Sequence, residues 1–182
     1  MNASHAHHRI RIARAEDATA IADIHNHGIL GRQATFETRL RTPDEAASRI
    51  AEAAEWPLLV AEDDEGRVLG WAGLSVYRPR ECYAGIGDFS IYLAPDARGR
   101  GLGTALLQAL VDAARQRGFW KLVSRIFPEN AASRALCRRC GFREVGTYEK
   151  HARLDGRWRD VVIVERVVPE NLQTAAPAAR SA

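Results

Sequence analysis

Cysteine is scarce in this chain. Cys82, Cys137 and Cys140 are all it has, an odd set that cannot pair completely. With no export signal ahead of them, free thiols are the simple reading. Cys137 and Cys140 stand three apart, like half of a zinc site, yet no second Cys/His pair of suitable spacing follows, so no metal is expected. Long apolar runs are missing too: nothing approaches the ~18 residues that a membrane span requires. The segment Met1 to His8 lacks the apolar stretch of a secretory signal, so a cytoplasmic home is the expectation. Surplus charge is also small. Twenty-six basic residues against 23 acidic ones leave a net +3, too little to argue for nucleic acid and compatible with a small anionic partner. No repeat and no linker divides the 182 residues, which suffice for one domain with a sizeable core.

What is present is a regular succession of short periodic segments. Arg9 to Arg14 alternates basic and apolar residues, as a strand with one buried face does. Asp17 to His27 has apolar groups at helical spacing (Ala18, Ile21, Ala22, Ile24) and is expected to close at Gly28. Thr42-Pro43-Asp44-Glu45 reads as a capped start for a helix running to about Glu55. Strands follow at Trp56 to Ala61, Val68 to Val76 and Asp88 to Leu93. A helix is expected over Leu102 to Arg117, a strand over Lys121 to Phe127 and a helix over Asn130 to Cys140. Two last strands, Arg143 to His151 and Arg159 to Val167, flank a turn signal at Asp155-Gly156. The order β-α-α-β-β-β-α-β-α-β-β describes a single α/β (α+β) domain with a mixed sheet. Residues 1–8, with His5, His7 and His8, and the Ala/Pro/Gln-rich stretch 169–182 read as loose tails.

The most informative stretch runs from Ser90 to Thr104. A strand enters a loop carrying Gly99, Gly101 and Gly103 between Arg98, Arg100 and Leu102, and the loop opens a long helix. Glycine lets the backbone approach a ligand closely, and the helix N-terminus adds unpaired N–H groups and partial positive charge, so the place suits a pyrophosphate. A nucleotide-hydrolase phosphate loop would need Gly-Lys-Ser/Thr, and no lysine is present. A dinucleotide fingerprint would need a glycine where Thr104 stands and an acidic residue near Lys121 and Leu122. A plain turn leaves three alternating glycines unexplained.

The pattern Arg98-x-Arg100-Gly101-x-Gly103, followed by Thr104, resembles the coenzyme A loop of the GNAT N-acetyltransferase superfamily. Pro128 to Phe142, an Asn-led helix ending in Gly-Phe, resembles that superfamily's second signature. The resemblance covers about residues 9–168. Within it, Asn26-His-Gly, Ala34-Thr-Phe-Glu-Thr, Tyr77-Arg-Pro-Arg-Glu-Cys-Tyr-Ala and Asp155-Gly-Arg-Trp-Arg-Asp resemble the phosphinothricin acetyltransferase branch, arsinothricin N-acetyltransferases above all. It implies a central, mostly antiparallel mixed sheet flanked by helices, a homodimer, and acetyl-CoA as cosubstrate. The acceptor it implies is the α-amine of a toxic glutamate analogue, whose acetylation protects the cell. Coenzyme A would be held by Ile91, Tyr92 and Leu93, by Arg98, Gly99, Arg100, Gly101, Leu102, Gly103 and Thr104, and by Asn130 and Ser133.

The acceptor carries two anionic groups, which need cations. Arg78 and Arg80, either side of Pro79, offer forked donors, and the resemblance sets them beside Phe36 and Tyr83. A solvated basic loop and two core aromatics are the plain alternatives. The branch uses a Glu as base on the strand before the loop; Asp88 stands here, one methylene shorter, which favours relay through a water. A strand-end cap is the bland reading of that Asp. Where relatives have Tyr or His, Cys137 stands; it is either an acid for the departing thiolate or an inert apolar group, and the inert reading is preferred. The resemblance gives the Leu93 N–H the role of donor to the thioester oxygen. Two rivals remain open at this point: a broader amino-acid or protein N-terminal acetyltransferase, and a coenzyme A-binding module without activity.

Overall fold

The computed structural model describes residues 8–172. Seven strands form one sheet in the order β1-β2-β3-β4-β5-β7-β6: β1 (Arg9–Ile12), β2 (Leu58–Glu62), β3 (Val68–Val76), β4 (Ile86–Leu93), β5 (Lys121–Ile126), β6 (Arg143–Leu154) and β7 (Arg157–Val167). Only β4 and β5 run parallel; every other neighbouring pair is antiparallel. A parallel pair needs a crossover, and α3 (Leu102–Gln116) supplies it between β4 and β5. The remaining helices are α1 (Ala18–Leu30), α2 (Pro43–Ala51) and α4 (Ala131–Arg139). The result is the mixed, mostly antiparallel sheet expected from the sequence.

Local chemistry explains most of the boundaries. Thr42 Oγ1 accepts from the Glu45 N–H at 3.3 Å and the Glu45 carboxylate accepts from the Thr42 N–H at 2.9 Å, a capping box that starts α2 with Pro43 in its first turn. Asn130 Oδ1 accepts from the Ser133 N–H at 3.1 Å and starts α4.

Several boundaries differ from the sequence reading: α2 stops at Ala51 rather than about Glu55, and β4 begins at Ile86 rather than Asp88. Helix α1 passes through Gly28 to Leu30, because Gly28 is a contact rather than a cap: a Cβ there would sit 2.5 Å from the Tyr92 ring. The β6–β7 hairpin is longer than expected, reaching the Asp155-Gly156 turn from both sides, with a register shift between Tyr148 and Ala152. The packed chain also continues past residue 168. Pro169–Asn171 forms one helical turn, pinned by Asn171 Nδ2 donating to the carbonyls of Arg115 (2.8 Å) and Phe119 (2.9 Å). The tail segments 1–7 and 173–182, with His5 and His7, lie outside the described residues.

Alternation along the strands sends side chains to two cores. On one face Leu74, Phe89, Leu122 and Val164 pack under α3, through Leu106, Leu107 and Leu110, and against Cys137 and Phe142 at α4. On the other, Val60 and Trp71 meet Ile21 and Ile24 of α1 and Ala46 of α2. Each fully buried leucine contributes roughly 1.5–3 kcal/mol, which fixes both helix layers firmly on the sheet. No helix among the described residues is long and apolar enough to cross a membrane.

Candidate active site

The site begins where the sheet opens. Pairing between β4 and β5 covers only Ile86↔Lys121, Gly87↔Leu122 and Asp88↔Val123, and then stops. Strand β4 continues five residues further against β3, to Gly70↔Leu93. The Ala94 N–H donates to the Leu69 carbonyl at 2.9 Å, which fixes the parity of that ladder. The even residues of β4 therefore bond to β3, and the backbone groups of Phe89, Ile91 and Leu93 face the gap. Ser124 Oγ donates to the Phe89 carbonyl at 2.8 Å, filling one place with a side chain where a strand would have been. Arg98 donates to the Leu93 carbonyl through Nε and Nη2, both at 3.3 Å. The N–H groups of Ile91 and Leu93 are left on an open strand edge, a surface that suits an added extended chain with amide groups.

At the far end of that edge lies the glycine loop. Gly101 caps α3 with φ +81°, a conformation that L side chains rarely adopt, and its carbonyl accepts from the N–H groups of Thr104 (3.0 Å) and Ala105 (3.3 Å). The N–H groups of Leu102 and Gly103 in the first turn have no such partner within the helix. No atom lies within 4 Å of a Cβ built on Gly101, so the ground before the helix is open. Gly103 serves packing: its Cβ position is 3.3 Å from Leu136 and 3.4 Å from Leu93.

A cavity of about 850 Å³ opens through the gap between the sheet, the α1–α2 connection and α4. Asp88, Ile91 and Tyr92 line it from β4; Asn130, Ser133 and Cys137 line it from α4; Phe36 lines it from the α1–α2 connection. Seven of the residues singled out from the sequence thus come together. Phe36 stands edge-on to Phe127 with ring centroids 4.9 Å apart, and Asn130 Nδ2 donates to the Gln33 carbonyl at 3.2 Å, tying α4 to the α1–α2 connection. Leu93 and the loop 98–104 sit beyond the cavity wall. Arg78, Arg80 and Tyr83 do not line it either: they lie on the loop after Val76, a lining residue, and Arg78 stacks over Tyr77 and Tyr83 at 5.3 and 5.9 Å.

Asp88 is partly buried, and burial raises its pKa despite the neighbouring Arg125, whose Nη1 donates to Asp88 Oδ2 at 2.5 Å. A carboxylate shifted upward binds a proton more readily, which suits a base. Cys137 is buried, and burial pushes its thiol up to about 12. It keeps its proton near neutrality, which argues against a thiolate nucleophile. The Tyr92 side chain turns to the α1–α2 side, stacked on Trp71 at 5.0 Å and near His25 at 4.6 Å.

Sequence reasoning passed over Arg125, Arg49, His25 and Trp71, all of which line the cavity. The signals were present. Arg125 is a cation in a strand with a buried face, and Arg49 stands at helical spacing with Ala46 and Ile50, which pack into the core.

An open strand edge leading from a helix N-terminus to a partly buried carboxylate can seat an extended, anionic cosubstrate beside a base. Comparison with known proteins makes the assignment specific: residues 26–142 match the acetyltransferase (GNAT) family, and the chain belongs to that family. It is 39% identical over 137 residues, 75% of this chain and 73% of the relative, to an L-methionine sulfoximine/L-methionine sulfone acetyltransferase of Pseudomonas aeruginosa. It is 36% identical over 162 residues, 87% of this chain and 95% of the relative, to a phosphinothricin N-acetyltransferase of Streptomyces coelicolor. The crystal structure of a GNAT superfamily phosphinothricin acetyltransferase from Sinorhizobium meliloti in complex with acetyl-CoA superimposes with a TM-score of 0.86 at 33% identity, covering 93% of both chains.

Proposed function

We propose that this enzyme transfers the acetyl group of acetyl-CoA to the α-amine of a glutamate analogue of the phosphinothricin or arsinothricin type, and that this confers resistance to such compounds. One observation carries the reading: the parting of β4 and β5 after Asp88 leaves an open strand edge that runs from the start of α3 to a cavity lined by a partly buried carboxylate. The pyrophosphate of the donor would sit at Gly99, Gly101 and Gly103, with Arg98, Arg100 and Thr104 around it. Its pantetheine arm would run along Ile91 and Leu93 past Asn130 and Ser133.

The acceptor arrives as an ammonium and must lose a proton before it has a lone pair to give. Asp88 takes that proton, through a water where the shorter side chain falls short. The nitrogen then bonds to the acetyl carbon, the carbon–sulfur bond breaks, and its electron pair leaves on sulfur. The second proton of the nitrogen ends on that sulfur, so one proton in total is released. The N–H groups of Ile91 and Leu93 on the open edge offer donors to the thioester oxygen as charge builds there. Cys137 stays a thiol throughout, and transfer is direct. Arg78 and Arg80, with Phe36 and Tyr83, receive the acceptor at the Val76 end of the cavity. Exposed Val145, Tyr148 and Trp158 on the β6–β7 hairpin support a homodimer.

An acceptor panel tests the substrate class. Phosphinothricin, arsinothricin, methionine sulfone, plain amino acids and a peptide with a free Ala N-terminus would be offered with acetyl-CoA. Turnover of the glutamate analogues above the others is expected; preference for the peptide would replace this acceptor with a protein N-terminus. Expression in a sensitive bacterium should raise the tolerated dose, and an unchanged dose would remove the resistance role.

A further inference from the structure

Three residues that line the cavity carry a buried nitrogen without a hydrogen-bond partner: Arg49 Nη2, Trp71 Nε1 and His25 Nε2, the last with Glu37 Oε1 at 3.8 Å, beyond hydrogen-bond reach. Buried polar groups in folded proteins are nearly always satisfied, so three orphans in one wall need an explanation. They stand together. The Arg49 guanidinium lies 4.8 Å above the Trp71 ring, and the His25 and Trp71 rings are 5.4 Å apart. Among the described residues no carboxylate forms an ion pair with Arg49, whereas Arg41 nearby is bonded to both Glu37 and Glu45. A buried guanidinium without a counter-ion is costly unless something outside the chain completes it.

Its position says what would fit. Arg49 Nη2 lies over β3 at Gly73, 3.1 Å from where a Cβ would be. Gly73 is opposite Ser90 in the sheet, and Asp88 is opposite Ser75 on the same ladder. The two groups are therefore two residues apart along the strands, roughly 7 Å. An amino acid with its amine at Asp88 and a terminal oxyanion on the γ-substituent spans five bonds of ~1.5 Å, about 6 Å along the zigzag.

We propose that Arg49, with Trp71 and His25, receives the terminal oxyanion of the acceptor while Asp88 faces its amine. This rests on the acceptor reading above and adds to it the group that selects for a charged end. Burial lowers the pKa of His25 against the pull of Glu37, which favours the neutral ring, and its Nε2 would donate in the tautomer that carries the proton there. Trp71 contributes a donor only. Arg49 brings the charge and a planar fork that matches two oxygens.

Kinetics give the first test. Arg49→Met should raise the KM for phosphinothricin by roughly tenfold to a hundredfold, the loss of one charge-assisted contact. The KM for acetyl-CoA should stay within about twofold. The preference for phosphinothricin over norleucine, which lacks the oxyanion, should fall by the same factor. Arg49→Lys keeps the charge but not the fork and should fall between; it carries the test if the Met variant does not fold. Equal loss for both acceptors, or an unchanged preference, would overturn the assignment. A second readout needs no turnover: the ³¹P line of methylphosphonate should broaden with the wild-type protein and much less with either variant. If the wild type acetylates none of these acceptors, the acceptor reading fails while Arg49-dependent broadening upholds the anion site. Equal broadening in all three proteins would remove the site.

Discussion

Asp88 and Arg125 are joined by a 2.5 Å hydrogen bond at the point where β4 and β5 separate. The pair sets the proton affinity of the group read here as the base. Burial raises the Asp88 pKa and Arg125 opposes the rise. Asp88→Asn should reduce kcat by roughly 10²–10⁴, with acetyl-CoA binding retained and the deficit shrinking at high pH, where solvent deprotonates the amine. Arg125→Gln removes the opposing charge, so the Asp88 pKa should rise further. A base works only when deprotonated, so the acidic limb of kcat/KM should move to higher pH in Arg125→Gln. A limb that stays put, or full activity of Asp88→Asn at neutral pH, would move the base elsewhere.

The glycine loop is open to a controlled comparison. Gly101 and Gly66 share nearly the same backbone conformation, φ +81° and +80°, and neither has an atom within 4 Å of a Cβ position. Gly66 lies in the β2–β3 turn, away from the gap. Each Gly→Ala change should carry a similar strain of roughly 1–2 kcal/mol. Only Gly101→Ala, and Gly101→Val more strongly, should lose acetyl-CoA affinity by calorimetry. Equal affinities in the Gly66 and Gly101 variants would sink the loop as the pyrophosphate site.

Thiol chemistry separates the cysteines. Cys82 is exposed, while the buried Cys137 thiol is pushed up to about 12. Iodoacetamide near neutral pH should label Cys82 and spare Cys137 in the folded protein, because the thiolate is the reactive form. Cys137→Ser should keep most of the activity. A stoichiometric acetyl adduct on Cys137 in the mass spectrum, with acetyl-CoA alone, would replace direct transfer by a covalent route.

Arg78 and Arg80 lie outside the cavity wall, which makes their role testable apart from Arg49. Arg80→Ala, and to a lesser degree Arg78→Ala, should raise the acceptor KM by an amount equivalent to about 1.5–3 kcal/mol per lost contact. The KM for acetyl-CoA should not change. Indifference of the acceptor constants to both substitutions would leave the acceptor to the groups inside the cavity alone.

The sequence carried the order of elements because each has its own local signal: the capping residues Thr42 and Asn130, the glycine that opens α3, the alternation in β1. It misplaced the end of α1 because Gly28 serves a contact with Tyr92, a residue 64 positions away, and a glycine at a helix end looks the same in either role. The glycine loop at the start of α3 and the capped start of α4 were legible because their chemistry is local. The gap between β4 and β5 was not, since it depends on where pairing stops. Neither was the wall formed by Arg49, Trp71 and His25, which comes from α2, β3 and α1 and converges only through packing.

In the proposed mechanism the acetyl group passes from the thioester directly to the α-amine of a glutamate analogue. Purified protein mixed with acetyl-CoA and L-phosphinothricin, with free thiol and product mass followed together, tests this transfer. One thiol released for each N-acetylated phosphinothricin, with no acetyl group left on the protein, is the expected result. Thiol release without N-acetylated product, or an acetylated protein that forms first and then decays into product, would contradict it.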